Sequence, residues 1–137
     1  MRYTLFENWR DQLLLLARIL LMVLFVKFGF DKLLGFSATV TYMASTGMPL
    51  PGLLAAIAVV MEFGAGIALV LGFYTRPLAL ALAIYTLVAA LIGHQYWNMT
   101  GVDQYMSMIN FYKNVSIVGG LLLLTVTGPG KYSLDKR

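Results

Sequence analysis

The chain has 137 residues, of which 60% are hydrophobic and 12% are charged, and its formal net charge is +4. A soluble domain carries about twice that share of charged residues, so the composition excludes an ordinary soluble protein and predicts a membrane protein. The lack of cysteine excludes disulfides, iron–sulfur clusters and cysteine-based zinc sites within the chain, and the single histidine excludes bis-histidine haem ligation by one chain.

Four apolar stretches follow one another along the chain, at residues 13–34, 53–72, 77–97 and 109–127. Each is close to the ~20 residues that a helix needs to cross a ~30 Å hydrocarbon core. Uninterrupted apolar runs such as Leu121 to Leu124 are typical of helices, because apolar and polar residues alternate in barrel strands. We predict an all-α fold: a single domain over residues 1–137 that forms a bundle of four transmembrane helices.

The ends of these stretches carry their own signals. Arg18 interrupts the apolar core of the first stretch and three further spans follow, so we predict a retained helix and not a cleaved signal peptide. Thr75 is predicted to cap the third helix, with Pro77 in its first turn. Gly128-Pro129-Gly130 is predicted to end the fourth helix.

The first loop, residues 35–52, is long and not merely polar. Phe36, Val40 and Met43 within it share one face of a helix. This pattern favours a short amphipathic helix in the membrane interface, but an ordinary loop packed on the helix ends fits it nearly as well.

The Lys and Arg residues outside the spans are distributed asymmetrically. Both tails and the loop between the second and third spans lie on one side of a four-span bundle. The basic residues of these three segments are Arg2, Arg10, Arg76, Lys131, Lys136 and Arg137. The other two loops, residues 35–52 and 98–108, contain no Lys or Arg. Because Lys and Arg favour the cytoplasmic side, we predict that both termini are cytoplasmic. The basic residues do not cluster in one patch, so nucleic-acid binding is not expected.

A carboxylate lies at the midpoint of the second span. A charge near the bilayer centre costs at least ~2.5–3.5 kcal/mol, so Glu62 should be paired, protonated or in contact with a wet cavity. Ala58 and Gly66 lie one turn on either side of it, and small residues there let another helix approach. We predict that Glu62 points into the bundle and that Arg18 of the first span reaches it.

Helix phase separates the charges of the first span. Arg18 and Lys32 fall on nearly the same face, whereas Lys27 lies opposite, with Asp31 one turn after it. This predicts a local Lys27–Asp31 pair, with Arg18 and Lys32 facing inward and Glu62 between them in depth. Three roles for Glu62 stay open: a structural ion pair, the binding of a ligand or proton, or a carboxyl kept neutral by protonation.

A second polar group marks the far end of the bundle. His94 ends the third span, and Asn110, Lys113 and Asn114 form an i, i+3, i+4 stripe at the start of the fourth, at a depth similar to that of Lys32. The stripe is typical either of a polar pocket or of interfacial anchoring, in which Lys113 reaches lipid headgroups. One histidine without nearby carboxylates lacks the usual number of metal ligands, so no metal is expected. The candidate residues for a ligand site or polar network are Arg18, Lys32, Glu62, His94, Lys113 and Asn114, and none is predicted to be catalytic.

Several segments occur in a specific order and spacing. They are Ala17-Arg18-Ile19-Leu20, Phe28 to Leu33, Tyr42 to Pro49, Glu62-Phe63-Gly64-Ala65-Gly66, Leu71 to Arg76, Lys113 to Ile117 and Gly128-Pro129-Gly130. In these segments the chain resembles the DoxX family of small bacterial membrane proteins, and Gly93 to Trp97 resembles its inner-membrane branch. The resemblance implies a four-helix bundle in the bacterial inner membrane. The family name derives from a subunit of an archaeal thiosulfate:quinone oxidoreductase, some relatives are linked to redox complexes, and most members have no assigned reaction.

Three functions are compatible with these features. The first is a non-catalytic subunit or accessory of a membrane redox or envelope system. No cofactor is expected in the chain, although the inward charges are compatible with a quinone-like or lipid ligand. Its partners would be the bilayer and a redox protein or a second copy of the chain. The second is a transporter of a small solute or protons that uses an Arg18/Glu62 layer. The third, an enzyme acting alone on thiosulfate or a quinone, is the least favoured.

Overall fold

The computed structural model describes residues 3–136, so Arg2 and Arg137 of the charge pattern lie outside the described residues. Its helices are α1 (Arg10–Leu34), α2 (Phe36–Ser45), α3 (Pro51–Val59), α4 (Ala65–Leu71), α5 (Thr75–Gly93) and α6 (Gly101–Thr127). A π-helical turn, Val60–Gly64, joins α3 and α4 into one span. Short 3-10 turns at Glu7–Trp9 and Tyr96–Asn98 precede α1 and α6.

Four helical segments are long and apolar enough to cross a membrane. They are Glu7–Leu34, Pro51–Leu71, Thr75–Asn98 and Gly101–Thr127. The prediction of an all-α bundle with four membrane-spanning helices is therefore confirmed.

The bundle consists of two helical hairpins. The first span packs along the second, and α5 packs along α6. The hairpins meet at a buried apolar core that includes Met22, Phe25, Leu69, Leu82 and Leu121. Many large apolar side chains remain on the outer surface of the spans, as expected of a protein whose surroundings are hydrocarbon.

The fourth span differs from its prediction. Helix α6 begins at Gly101, eight residues before the predicted start, so most of the predicted loop at residues 98–108 is helical. Hydropathy marks only the apolar part of a helix, and the first turns of α6 carry polar residues such as Asp103 and Gln104.

The start of α5 also differs. The residue before the helix is Tyr74, in the left-handed conformation (φ 47°), and Thr75 makes no side-chain cap. The carboxylate of Asp135 instead accepts hydrogen bonds from the backbone N–H groups of Tyr74 (2.9 Å) and Thr75 (2.8 Å). The predicted Thr75 cap is therefore wrong: Thr75 is the first residue of the helix, and a distant carboxylate accepts the N–H groups at the helix start.

The first loop contains the short helix that the apolar spacing predicted. Helix α2 covers Phe36–Ser45 and packs against α3. Its position in the membrane interface stays a prediction.

The last described residues, 128–136, form a segment that we call the C-terminal strap. Gly128 ends α6 at a positive φ of 74°, as the Gly-Pro-Gly pattern predicted. The backbone N–H groups of Leu134 and Asp135 then bond to the carbonyls of Leu71 (3.0 Å) and Gly72 (2.9 Å).

The strap also reaches the start of α1. The N–H of Lys131 donates to the carboxylate of Asp11 at 3.1 Å. Both described ends of the chain therefore lie at one end of the bundle, called here the terminal end. The other is the distal end, where α2 and the Tyr96–Asn98 turn lie.

Candidate functional site

Glu62 lies in the π-helical turn of the second span and points into the bundle. One carboxylate oxygen accepts a hydrogen bond from the Lys32 ammonium of α1 (2.8 Å), and the other accepts one from the Tyr85 hydroxyl of α5 (2.7 Å). The carboxylate thus links three spans. We call these three residues the Glu62 cluster.

Glycine lets α1 approach the turn that carries Glu62. A Cβ on Gly29 would lie 2.9 Å from the carbonyl carbon of Glu62 and would collide with the backbone nitrogen of Phe63. On the next turn, Gly66 lies against Val26, and a Cβ there would lie 3.1 Å from a methyl carbon of the valine side chain. The prediction that small residues flank an inward-facing Glu62 is confirmed, since Ala58 and Gly66 are both buried.

The π-helical turn itself is a local irregularity in an otherwise regular span. Such single turns are rare, and they occur frequently at functional sites. Here the turn places Glu62 opposite Gly29, and Lys32 lies one turn further along α1.

The Glu62 cluster is open on one side. The side chain of Glu62 is 10% exposed, whereas that of Lys32 is 29% exposed. The ion pair carries no net charge, which lowers the cost of holding it among apolar side chains. Chemically, the cluster is a carboxylate with two donors, one of which is reachable from outside the protein.

Arg18 is buried at the terminal end and does not contact Glu62. Its guanidinium donates to the carbonyl oxygens of Val70 (3.1 Å), Pro129 (2.5 Å) and Tyr132 (2.7 Å). The predicted Arg18–Glu62 pair is therefore wrong. Two of the three acceptors lie on the C-terminal strap, and we call this arrangement the Arg18 clamp.

A second arginine holds the end of α6, where the strap begins. The Arg76 guanidinium donates to the last carbonyls of α6, those of Thr125 (3.0 Å), Val126 and Thr127 (3.4 Å). A cation at these unpaired carbonyls also matches the negative end of the helix dipole. Arg76 therefore also stabilises the end of α6, whereas the sequence predicted only a role in the orientation of the bundle in the membrane.

Lys27 and Asp31 form the local pair that helix phase predicted. The Lys27 ammonium lies 2.8 Å from both carboxylate oxygens of Asp31. Both side chains are exposed, so this pair is separate from the Glu62 cluster.

The polar residues of the distal half do not form one connected network. His94 ends α5 and is half-buried, Asn110 and Asn114 are half-buried on α6, and Lys113 is exposed. Within residues 3–136, no hydrogen bond or ion pair joins these four side chains to one another.

Lys113 lines a groove of about 600 Å³ between α1 and α6. We call it the α1–α6 groove, and its lining residues are Leu24, Met108, Ile109, Tyr112, Lys113, Ser116 and Ile117. Tyr112 of this lining belongs to a group of aromatic rings: those of Tyr96, Trp97, Phe111 and Tyr112 lie within 5.3–6.1 Å of one another in successive pairs.

Tyr85 was missed from the sequence, although a signal for it existed. It is the one tyrosine among the apolar residues between Pro77 and Gly93. A buried tyrosine hydroxyl usually finds a hydrogen-bond partner, so its position at mid-span could have pointed to Glu62. For metals, the described part of the chain contains no group of three or more His, Asp or Glu side chains that could hold an ion.

The chain is similar to known proteins of the bacterial inner membrane. The model of the DoxX family matches residues 13–95, a range that contains the whole Glu62 cluster but ends before α6 and the strap. The inner membrane protein YphA of Escherichia coli (strain K12) is 57% identical over 137 residues, which cover 100% of this chain and 98% of that protein. The inner membrane protein YqjF of the same organism is 42% identical over 130 residues, covering 95% of each.

A more distant relative is much longer. The ER-derived vesicles protein ERV29 of Saccharomyces cerevisiae is 26% identical over 131 residues, which cover 96% of this chain and 35% of that protein. No solved structure matches the chain.

Proposed function

The chain belongs to the DoxX family and is a multi-pass protein of the inner membrane, and from this premise we propose that it is a non-catalytic subunit or accessory of a membrane redox or envelope system. In this role the bundle holds a partner protein or a second copy of the chain. It also offers an amphiphile, quinone-like or lipid, a site on its surface.

One observation carries this proposal: the interior charges are bonded within the chain itself. Both carboxylate oxygens of Glu62 accept a hydrogen bond, and the guanidinium of Arg18 donates to three carbonyls. Such bonds fix how helices pack in a membrane. They support a rigid scaffold better than a site that must release its groups in every cycle.

The amphiphile site is supported by the α1–α6 groove. Its volume of about 600 Å³ falls in the range of roughly 300–1,000 Å³ typical of small-molecule sites. Its walls are mainly apolar, and it faces the surroundings of the bundle, where lipids and quinones are dissolved.

The proposal is tested by purification of the tagged protein from its native membrane in a mild detergent, followed by native mass spectrometry. We expect a second protein, or a second copy, and a bound amphiphile at stoichiometric amounts. A bare monomer with neither would overturn the proposal.

The proposed topology, with both termini in the cytoplasm, has a simple test. Because the chain contains no cysteine, single cysteines can be introduced without further changes. A cysteine at exposed Lys131 should react with membrane-impermeant maleimide only after the cells are opened, and one at exposed Thr100 should react in intact spheroplasts. The reverse pattern would invert the topology.

Transport of protons or of a small solute is the second candidate, and the partial exposure of Lys32 favours it. The Lys32 ammonium links the buried carboxylate to the outside, so the Glu62 cluster can exchange a charge without a change of fold. Because Arg18 lies elsewhere, the path depends on this cluster and not on an Arg18/Glu62 layer.

Flux in liposomes distinguishes the two candidates. A proton or solute flux that Glu62→Gln abolishes, while Lys27→Gln in the exposed pair leaves it intact, would replace the accessory role by transport. The accessory role predicts no flux above that of empty liposomes.

A further inference from the structure

We propose that the α1–α6 groove binds an anionic phospholipid, with the phosphate on the Lys113 ammonium and one acyl chain along the groove. The inference rests on the part of the proposed function that assigns an amphiphile to this groove. It goes further by naming the chemical class of that amphiphile.

The first argument is charge. Lys27 and Lys32 of α1 are bonded to the carboxylates of Asp31 and Glu62. Among the described residues, Lys113 has no carboxylate within ion-pair distance. An ammonium beside hydrocarbon without a counter-charge is costly, so an anion from outside the chain stabilises it.

The second argument is depth. Tyr112, which precedes Lys113, stacks edge-to-face on Phe111, and its hydroxyl lies 3.5 Å from that of Tyr96. Trp97 packs against the same rings. Tyrosine and tryptophan are enriched where lipid headgroups meet the hydrocarbon, so this aromatic group places Lys113 at headgroup level.

The third argument is the direction of the groove. On α6 the lining runs in both directions from Lys113: Met108 and Ile109 lie about 6–8 Å towards the distal end, and Ser116 and Ile117 lie about 5–6 Å towards the terminal end, with Leu24 of α1 opposite. The ammonium thus lies between two apolar parts of the groove, and the part at Ser116 and Ile117 extends towards the membrane interior. A phospholipid whose phosphate lies on Lys113 can place the start of an acyl chain along this inner part.

Other amphiphiles fit less well. A quinone has neutral carbonyl oxygens, which accept a hydrogen bond from Lys113 but leave its charge uncompensated. A free fatty acid supplies a carboxylate, but the lipid supplies its phosphate from the bilayer that already surrounds the groove. These two occupants are therefore outcomes of the test.

The test compares retained lipids by native mass spectrometry. The purified full-length protein is equilibrated in mixed micelles that contain equal amounts of phosphatidylglycerol and phosphatidylcholine of the same chain length. We expect the wild type to retain phosphatidylglycerol about fivefold over phosphatidylcholine, since one lysine at an anionic lipid surface contributes about that factor. Lys113→Gln should bring the ratio close to one, and Lys113→Arg should keep it.

Two further variants serve as controls. Lys136→Gln removes one exposed positive charge at the terminal end and should leave the ratio unchanged. Ser116→Phe keeps Lys113 but fills the groove, and should lower the retention of both lipids. This second variant keeps the inference testable if Lys113→Gln does not fold.

Three results would overturn the inference: equal retention of the two lipids by the wild type, an unchanged ratio in Lys113→Gln, or displacement of phosphatidylglycerol by equimolar oleate or ubiquinone. In each case a partner protein that still co-purifies would leave the accessory role standing. If neither a partner nor any amphiphile is found, the proposed function fails instead.

Discussion

The Arg18 clamp and the Glu62 cluster both hold a buried charge, but their partners differ in kind. Arg18 is bonded to three main-chain carbonyls, two of them on the C-terminal strap. Glu62 is bonded to two side chains on two other spans. Main-chain carbonyls are held in place by the fold, whereas a lysine or tyrosine side chain can rotate to another partner. The clamp therefore ties the C-terminal strap to the bundle, whereas the cluster ties three spans to one another.

Arg18→Met should have the largest effect, because it removes a buried guanidinium and leaves three carbonyls without their donor. We expect a loss of about 3–5 kcal/mol in the free energy of unfolding, measured by denaturant titration in detergent micelles. The strap should also become sensitive to trypsin at Lys131. Arg10→Met, which removes an exposed arginine near the same end, should change little. Equal stability of the two variants would show that the clamp is not structural.

Lys32→Met should follow, because it leaves the Glu62 carboxylate with the Tyr85 hydroxyl as its remaining partner. The expected loss is about 2–4 kcal/mol. Here a second substitution can restore stability: Lys32→Met combined with Glu62→Leu should recover most of the loss, as a double-mutant cycle would show. No second side-chain substitution can do this at the clamp, since its acceptors are main-chain atoms.

Lys27→Met is the matched control for this cycle. It breaks an exposed pair on the same helix and should cost no more than about 1 kcal/mol. If Lys32→Met proves no more costly than Lys27→Met, the Glu62 cluster contributes no more than a surface pair.

Gly29→Ala tests the contact on which the Glu62 cluster depends. The added methyl group collides with the turn at Glu62 and Phe63, so we expect a loss of about 2 kcal/mol. Gly64→Ala, two residues beyond Glu62, meets no atom within 4 Å and should shift stability by no more than about 1 kcal/mol. Trypsin sensitivity of the strap should stay at the wild-type level in both variants. Release of the strap in Gly29→Ala would show that the two regions are coupled.

Tyr85→Phe should have the smallest effect. It removes one hydrogen bond to Glu62 and preserves the ring, which corresponds to about 1 kcal/mol for a bond between membrane helices. Tyr105→Phe removes an exposed hydroxyl of α6 and should be neutral in the same unfolding titration. An effect of Tyr85→Phe as large as that of Lys32→Met would mean that the hydroxyl, and not the ammonium, holds the carboxylate.

Sequence patterns within a few turns of one helix correctly predicted the contacts that form between residues of that helix and the face that it buries. The Lys27–Asp31 pair follows from a spacing of one turn, and the inward direction of Glu62 follows from the small residues on its face. The start of α6 at Gly101 was missed because polar residues in its first turns lower the hydropathy. The Thr75 cap was wrong because the helix begins at Thr75 itself, and the carboxylate of Asp135, 60 residues away, accepts the N–H groups of Tyr74 and Thr75.

The sequence by itself determined that this protein lies in a lipid bilayer, that it has four spans and that it belongs to its family. The first two follow because hydrophobic length and composition are additive along the chain. The tertiary structure alone decided which group each buried charge meets. Arg18 and Pro129 are 111 residues apart, and Glu62 and Tyr85 are 23 apart. In an apolar interior a charge takes whichever donor or acceptor the fold brings within about 3 Å, and that choice depends on helix packing and on the path of the C-terminal strap.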